Sequence, residues 1–242
     1  MSGGADGRPA GSSARTDPRV PVVAIDGPAG SGKSTVARAL ARRLGIAHVD
    51  TGAYYRAATL LALRAGVDTA SGRHIAALIE GARIERVAGR TLLDGDDVED
   101  DIRGAAVTAG VSAVSAHPAV RAALLELQRG AAAPGAVVEG RDAGTVVVPH
   151  AVLKVWLTAS PEERAARRAR ELGQDGPAAV AGQLRAITQR DAGDAAQMAP
   201  AADVVEMDTT GRSVRQVVDA LADLAAGRSR AAAFQQPHRS TG

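Results

Sequence analysis

Apolar residues fall into two rhythms along this chain. Short apolar runs at residues 20–25 (VPVVAI), 46–49, within GAVVEGRD at 135–142 and in VLKVWL at 152–157 read as buried strands. Longer stretches between them repeat at helical spacing. Val36, Ala37, Leu40, Ala41 and Leu44 mark one helix, and residues 51–65 a second with Tyr55, Ala58, Leu61 and Leu63 turned inward. Residues 102–115 and 118–129 predict two more. Ser160-Pro161-Glu162-Glu163 caps another, with proline in its first turn. Val204-Val205 and a helix over 213–224 close the pattern. Residues 82–98 (ARIERVAGRTLLDGDDV) alternate every second residue, with turn signals at Ala88-Gly89 and Asp94-Gly95, so they predict a small antiparallel piece. A βαβα rhythm with one antiparallel insertion implies an α/β fold: a parallel sheet with helices on both faces and a site at the carboxyl ends of the strands.

Composition narrows the chemistry. Hydrophobic residues make up 45% of the 242, but aromatics only 2%, so the core must be built from Ala, Val and Leu. With no cysteine there is no disulfide, thiolate metal site or thiol nucleophile. No long apolar run suggests a membrane span, and residues 1–19 lack the apolar segment of a signal peptide, so a cytoplasmic protein is expected. Residues 1–19 and the tail from about Arg228 read as disordered. The net charge is +2, and Lys33 and Lys154 are the only lysines. The arginine bias is not interleaved with aromatics for base stacking, which argues against nucleic acid as a partner.

Lys33 sits in the most informative stretch, AIDGPAGSGKSTVARAL. Gly27, four residues, then Gly32-Lys33-Ser34 complete the G-x-x-x-x-G-K-[ST] template between a strand and a helix. Residues Gly27, Pro28, Ala29, Gly30, Ser31, Gly32, Lys33, Ser34 and Thr35 are therefore the expected cradle for ATP phosphates, with the Ser34 hydroxyl on Mg²⁺. A switch GTPase needs an [NT]-K-x-D motif, which Lys154, followed by Val155-Trp156-Leu157, cannot supply. A transporter-type ATPase needs an LSGGQ-like signature, which is absent. Downstream, Arg56 in DTGAYYRA, Arg141 in GRD and Arg190 in RDAGD fall where strand ends converge. Three arginines suit a second anion better than they suit water, so a kinase is expected.

These blocks, with EGRDAGTVVVP, LTASPEERAARR and MDTT, resemble in order the bacterial cytidylate kinases of the nucleoside-monophosphate kinase superfamily, from about Val20 to Ala226. The resemblance implies a P-loop NTPase core (20–65, 119–172 and 201–227), an inserted monophosphate-binding domain at 66–118 and a short mobile lid at 173–200. It also implies roles. Lys33, Arg141 and Arg164 would be catalytic. Arg164 and Arg168, on one face of the SPEERAARR helix with Arg167, would join the ATP site. Thr51, Tyr55, Arg56, Ser112, Arg121, Arg141, Asp142, Arg190 and Asp194 would hold CMP, with Asp142, Arg121 and Ser112 reading cytosine. Lys154 reads as structural and Glu139 as a neighbour of the metal waters. The family's further arginine after R-D-x-x-D is missing here, where Gln197 or a gap stands.

The activity implied is γ-phosphoryl transfer from MgATP to CMP or dCMP by a monomer, through positioning and charge neutralisation without a general base. Two alternatives stay open on the residues alone: a kinase of another small acceptor, and a P-loop protein that binds nucleotide with little turnover.

Overall fold

This computed structural model describes residues 20–174, 176–195, 198 and 200–235. Its centre is a five-stranded parallel sheet. Strands β1 (Val23–Asp26), β2 (Ala47–Asp50), β6 (Ala136–Glu139), β7 (Leu153–Thr158) and β8 (Val205–Asp208) lie in the order β2-β6-β1-β7-β8. Register places Val23 against both Val137 and Leu153, Asp26 against Trp156 and Asp50 against Glu139. Each strand alternates its side chains between two cores. Val23 and Ile25, with Val137, Leu153, Val155 and Leu157, pack on helices α1 (Lys33–Leu44) and α8 (Val214–Gln235). Ala24, Ala136 and Val138 face the other way, onto α2 (Thr51–Arg64) and α5 (Pro118–Ala132). The fold is α/β with helices on both faces, as the pattern implies.

The insertion holds α3 (Gly72–Gly81), a three-stranded antiparallel sheet β3 (Ile84–Val87), β4 (Arg90–Leu93) and β5 (Asp96–Asp97), a 3₁₀ turn at Asp101–Arg103 and α4 (Ala105–Ala116). Ala88 and Gly89 (φ 50° and 82°), then Asp94 and Gly95 (54° and 95°), form its two hairpin turns. Left-handed backbone at both central residues matches the twist of the flanking strands. Ile75, Ile84, Leu93, Val98 and Ile102 join the same core as Ala24 and Val138, so the insertion has no separate interior. Helices α6 (Pro161–Glu171) and α7 (Pro177–Asp194) cover the strand ends, with Ala165 and Ile187 packed on Ala29 of the P-loop. The Ser160 hydroxyl accepts from the Glu163 N–H at 3.2 Å, which is the cap the sequence predicts.

Three expectations need correction. The buried face of α2 is Ala53, Tyr54, Ala57, Ala58 and Ala62, whereas Leu63 is exposed and Tyr55 and Leu61 are only partly covered. Small side chains let this helix approach the sheet closely, so bulk does not mark its inner face. The helix expected over 102–115 is broken at Gly104, whose extended backbone separates the 3₁₀ turn from α4. Residues 228–235, expected to be disordered, continue α8; their alanines are the strongest helix formers. Most of the lid segment is the 18-residue helix α7, and α3 is an element that the apolar pattern leaves unassigned. No helix among the described residues is long and apolar enough to cross a membrane.

Candidate active site

The P-loop leaves β1 at Gly27, where φ is +146°. A Cβ there would lie 2.1 Å from the Leu157 carbonyl oxygen, so only glycine lets the loop pass this close to β7. Within the loop, Lys33 Nζ donates to the Pro28 carbonyl at 2.7 Å and is almost fully buried. Burial drives its pKa well down, and nearby Arg141 adds to this against the opposing pull of Glu139 and Asp26. An ammonium held at such cost is stabilised by an incoming polyphosphate. Ser34 Oγ donates to Glu139 Oε2 at 2.7 Å. Its single proton is thus committed, and its lone pairs remain for a cation. Among the described residues no three His, Cys, Asp or Glu side chains gather around a potential metal site. One hydroxyl and a nearby carboxylate fit Mg²⁺, which keeps waters and phosphate oxygens as its other ligands.

Two braces lock the loop from the α6–α7 side. The Ala29 N–H donates to Asp191 Oδ1 at 3.1 Å, and Arg164 Nη1 donates to both the Ala29 carbonyl (2.9 Å) and Asp191 Oδ2 (2.5 Å). Arg167 donates to the Ser31 carbonyl at 3.5 Å and to Thr209 Oγ1 at 2.9 Å, and Thr209 Oγ1 donates to the same Ser31 carbonyl at 3.3 Å. Of the cationic edge expected on α6, only Arg168 points outward, paired with Glu171 at 3.0 Å. Arg164 braces the loop against α7 in this structure. Ser31 is fully buried, with an Oγ that has no partner.

The residues expected on the acceptor side come from separate elements. Asp26, the last residue of β1, accepts the N–H groups of Ala143 and Gly144, both at 2.8 Å, and so anchors the turn that carries Arg141 and Asp142. Burial outweighs those two donors and pushes its pKa up to about 6. Asp142 is ion-paired with Arg121, whose guanidinium lies 5.6 Å from the centroid of the Tyr55 ring. Burial raises the Asp142 pKa despite that partner. Arg121 also donates to the Ser115 carbonyl at 3.4 Å, near the end of α4, one turn from Ser112. Arg141 Nε donates to Asp194 Oδ2 at 3.0 Å, and Arg190 approaches the same oxygen at 3.7 Å. Arg56 donates to the Ile102 carbonyl and Thr108 Oγ1. Its pKa falls to about 10 through burial, then through Arg190 and Arg103. Cations crowded until they depress one another's pKa mark a place prepared for an anion.

Not every expected residue faces this space. Thr51 is buried and donates to the Glu139 carbonyl at 2.7 Å, tying α2 to β6. Lys154 pairs with Asp203 at 2.9 Å, away from the loop, as a structural residue should. Gln197 lies outside the described residues. Asp26, His48 and Asp191 carry contacts that motif reading does not assign. The signal for Asp26 was a carboxylate closing the apolar run VVAID.

A family description, "Cytidylate kinase", matches residues 23–226. The chain belongs to the cytidylate kinase family. It is 48% identical over 220 residues to a cytidylate kinase of Pelotomaculum thermopropionicum, covering 86% of this chain and 97% of that one. It is 44% identical over 225 residues to a cytidylate kinase of Streptomyces griseus, covering 87% and 95%. Among solved structures, a gluconokinase from Sinorhizobium meliloti superposes with a TM-score of 0.50 at 17% identity, over 92% of this chain and all of that one. That likeness places the family's core among P-loop kinase folds.

Proposed function

We propose that the protein transfers the γ-phosphoryl group of MgATP to CMP or dCMP, giving ADP and the corresponding diphosphate. The observation that carries this reading is the pair formed beside Tyr55 by Arg121 of α5 and Asp142 of the turn that also carries Arg141. A carboxylate there can accept from the exocyclic amine of cytosine and a guanidinium can donate to the carbonyl edge, while Tyr55 lines the base. Arg56, Arg141 and Arg190 then take the monophosphate. Arg141 and Arg190 would exchange their contacts with Asp194 for the ligand, freeing that carboxylate for a sugar hydroxyl.

The donor phosphates would lie in loop 27–35 on the N–H groups at the start of α1, with Lys33 exchanging its bond to the Pro28 carbonyl for them. Mg²⁺, held by Ser34, the phosphates and waters, would neutralise charge on the β- and γ-oxygens. The acceptor oxygen is already anionic, so no residue has to remove a proton. Lys33 and Arg141 hold the two anions in line, and Arg164 acts by keeping Ala29 and α7 in place. Helix α7 excludes water that would otherwise take the phosphoryl group. Arg168 sits at the outer rim of the ATP side.

Steady-state ADP formation with CMP, dCMP, UMP and AMP tests the reading. Turnover should depend on a cytosine nucleotide. ATP binding without acceptor-dependent ADP would support a nucleotide-binding protein, and faster turnover with AMP or UMP would identify another acceptor.

A further inference from the structure

His48 has no part in the activity described so far, yet it is held against Glu139, the carboxylate that accepts the Ser34 hydroxyl of the phosphate loop. On β2, Val49 faces the core shared with α2 and α5. Alternation turns His48 to the opposite, α1 side of the sheet. It is register-paired with Val137, so its diagonal neighbour on that face of β6 is Glu139. His48 Nε2 lies 2.8 Å from Glu139 Oε1, with side-chain exposures of only 9% and 4%.

Chemistry fixes the direction of this contact. Burial acts to raise the Glu139 pKa, but the bond from His48, the bond from Ser34 and the charge of Lys33 prevail and hold it below the ordinary range. A carboxylate only accepts, so His48 Nε2–H and Ser34 Oγ–H both donate, one to each oxygen. Neighbouring Asp50 is occupied elsewhere: it caps α2 by accepting the Ala53 N–H at 3.1 Å. Without His48, Glu139 Oε1 would be a buried lone acceptor, free to turn toward Lys33 and withdraw Oε2 from Ser34.

We propose that His48 is a positioning residue for the divalent cation of the donor nucleotide: by clamping Glu139 it keeps the Ser34 hydroxyl proton turned inward and its lone pairs turned to the metal. This rests on the kinase reading. It also predicts a narrow effect, because phosphate binding by the loop backbone does not use Ser34 Oγ.

The test compares wild type with His48→Phe and His48→Gln. Calorimetry measures ATP binding with Mg²⁺ and with EDTA, and steady-state assays give the Mg²⁺ concentration for half-maximal rate. His48→Phe should raise that concentration on the order of tenfold and weaken ATP binding comparably only when Mg²⁺ is present. Binding in EDTA should stay unchanged. His48→Gln, which keeps an N–H donor, should recover most of the loss. Equal weakening with and without Mg²⁺, or an unchanged Mg²⁺ dependence, would show that His48 merely packs. Should His48→Phe fail to fold, the wild-type His48 ring ¹⁵N resonances, assigned by their loss in His48→Gln, decide. They should show an Nε2–H tautomer that shifts with MgATP and not with ATP in EDTA; the opposite pattern overturns the proposal. A wild type that binds MgATP but makes no CDP defeats the kinase reading while leaving the binding arms interpretable.

Discussion

The two halves of the proposed site are built on opposite plans. On the donor side one stretch, residues 27–35, folds upon itself: Lys33 bonds Pro28, and distant residues such as Asp191, Arg164 and Glu139 only brace a shape the glycines permit. On the acceptor side no stretch suffices. Tyr55 and Arg56 come from α2, Arg121 from α5, Arg141 and Asp142 from the turn after β6, and Arg190 and Asp194 from α7. Those residues are held by bonding to one another, as in Arg121–Asp142 and Arg141–Asp194. A self-built loop has one job and fails as a unit. A mutual network can lose a member and rearrange, so its substitutions should alter affinity and specificity before they alter chemistry.

The largest effect should therefore come from the donor side. Lys33→Ala is expected to lower kcat by on the order of 3–4 kcal/mol in barrier, measured at saturating ATP and CMP. A loss under tenfold would mean the loop is not where the phosphoryl group moves.

Asp26 stands at the junction of the two halves, and its pKa of about 6 gives a pH signature. The folded state binds this proton more tightly than the unfolded chain does. The contribution to stability is thus complete below the unfolded value near 4 and is lost as pH rises through about 6. Chemical denaturation of wild type and Asp26→Asn, which does not titrate there, should show the wild-type advantage shrinking by up to about 3 kcal/mol between pH 4 and 7. A constant difference would mean that Asp26 titrates normally.

Asp142→Ala should erode the CMP over UMP ratio of kcat/KM by about 1–3 kcal/mol while ATP binding holds. An unchanged ratio would remove Asp142 from base recognition. Smallest of all, inorganic phosphate should stabilise the protein, because Arg190 lies close enough to Arg56 and to Arg141 for their charges to repel. At ten times its Kd the gain is about 1.4 kcal/mol, visible as a raised Tm. Arg56→Ala should reduce that gain; an equal gain in the variant would place the phosphate elsewhere, for example in the P-loop.

The same contrast explains what was legible in the sequence. The P-loop, the Ala88-Gly89 turn and the Ser160 cap are local: the residues that specify the backbone are the residues that adopt it. The arginines of the acceptor side were legible through motif resemblance, but their pairing was not, since Arg141 meets Asp194 only after α7 folds over the strand ends. His48 looked like one more residue of a short apolar strand, because its partner, Glu139, is brought beside it by sheet register. The α2 face was misread for a compositional reason. In a core rich in alanine, hydrophobic bulk does not distinguish inside from outside.

Strand order has a consequence for how the molecule is made. The central strand β1 pairs with β6 and β7 and never with β2, its successor in the chain. A nascent chain emerging from the ribosome therefore carries the Gly27–Ser34 motif for a long interval with both edges of β1 unsatisfied. The sheet cannot start to form until Ala136–Glu139 has been synthesised. Until then the exposed run VVAI is a hazard for intermolecular pairing, and chains truncated before β6 should be bound by chaperones or aggregate rather than persist as a free half-domain.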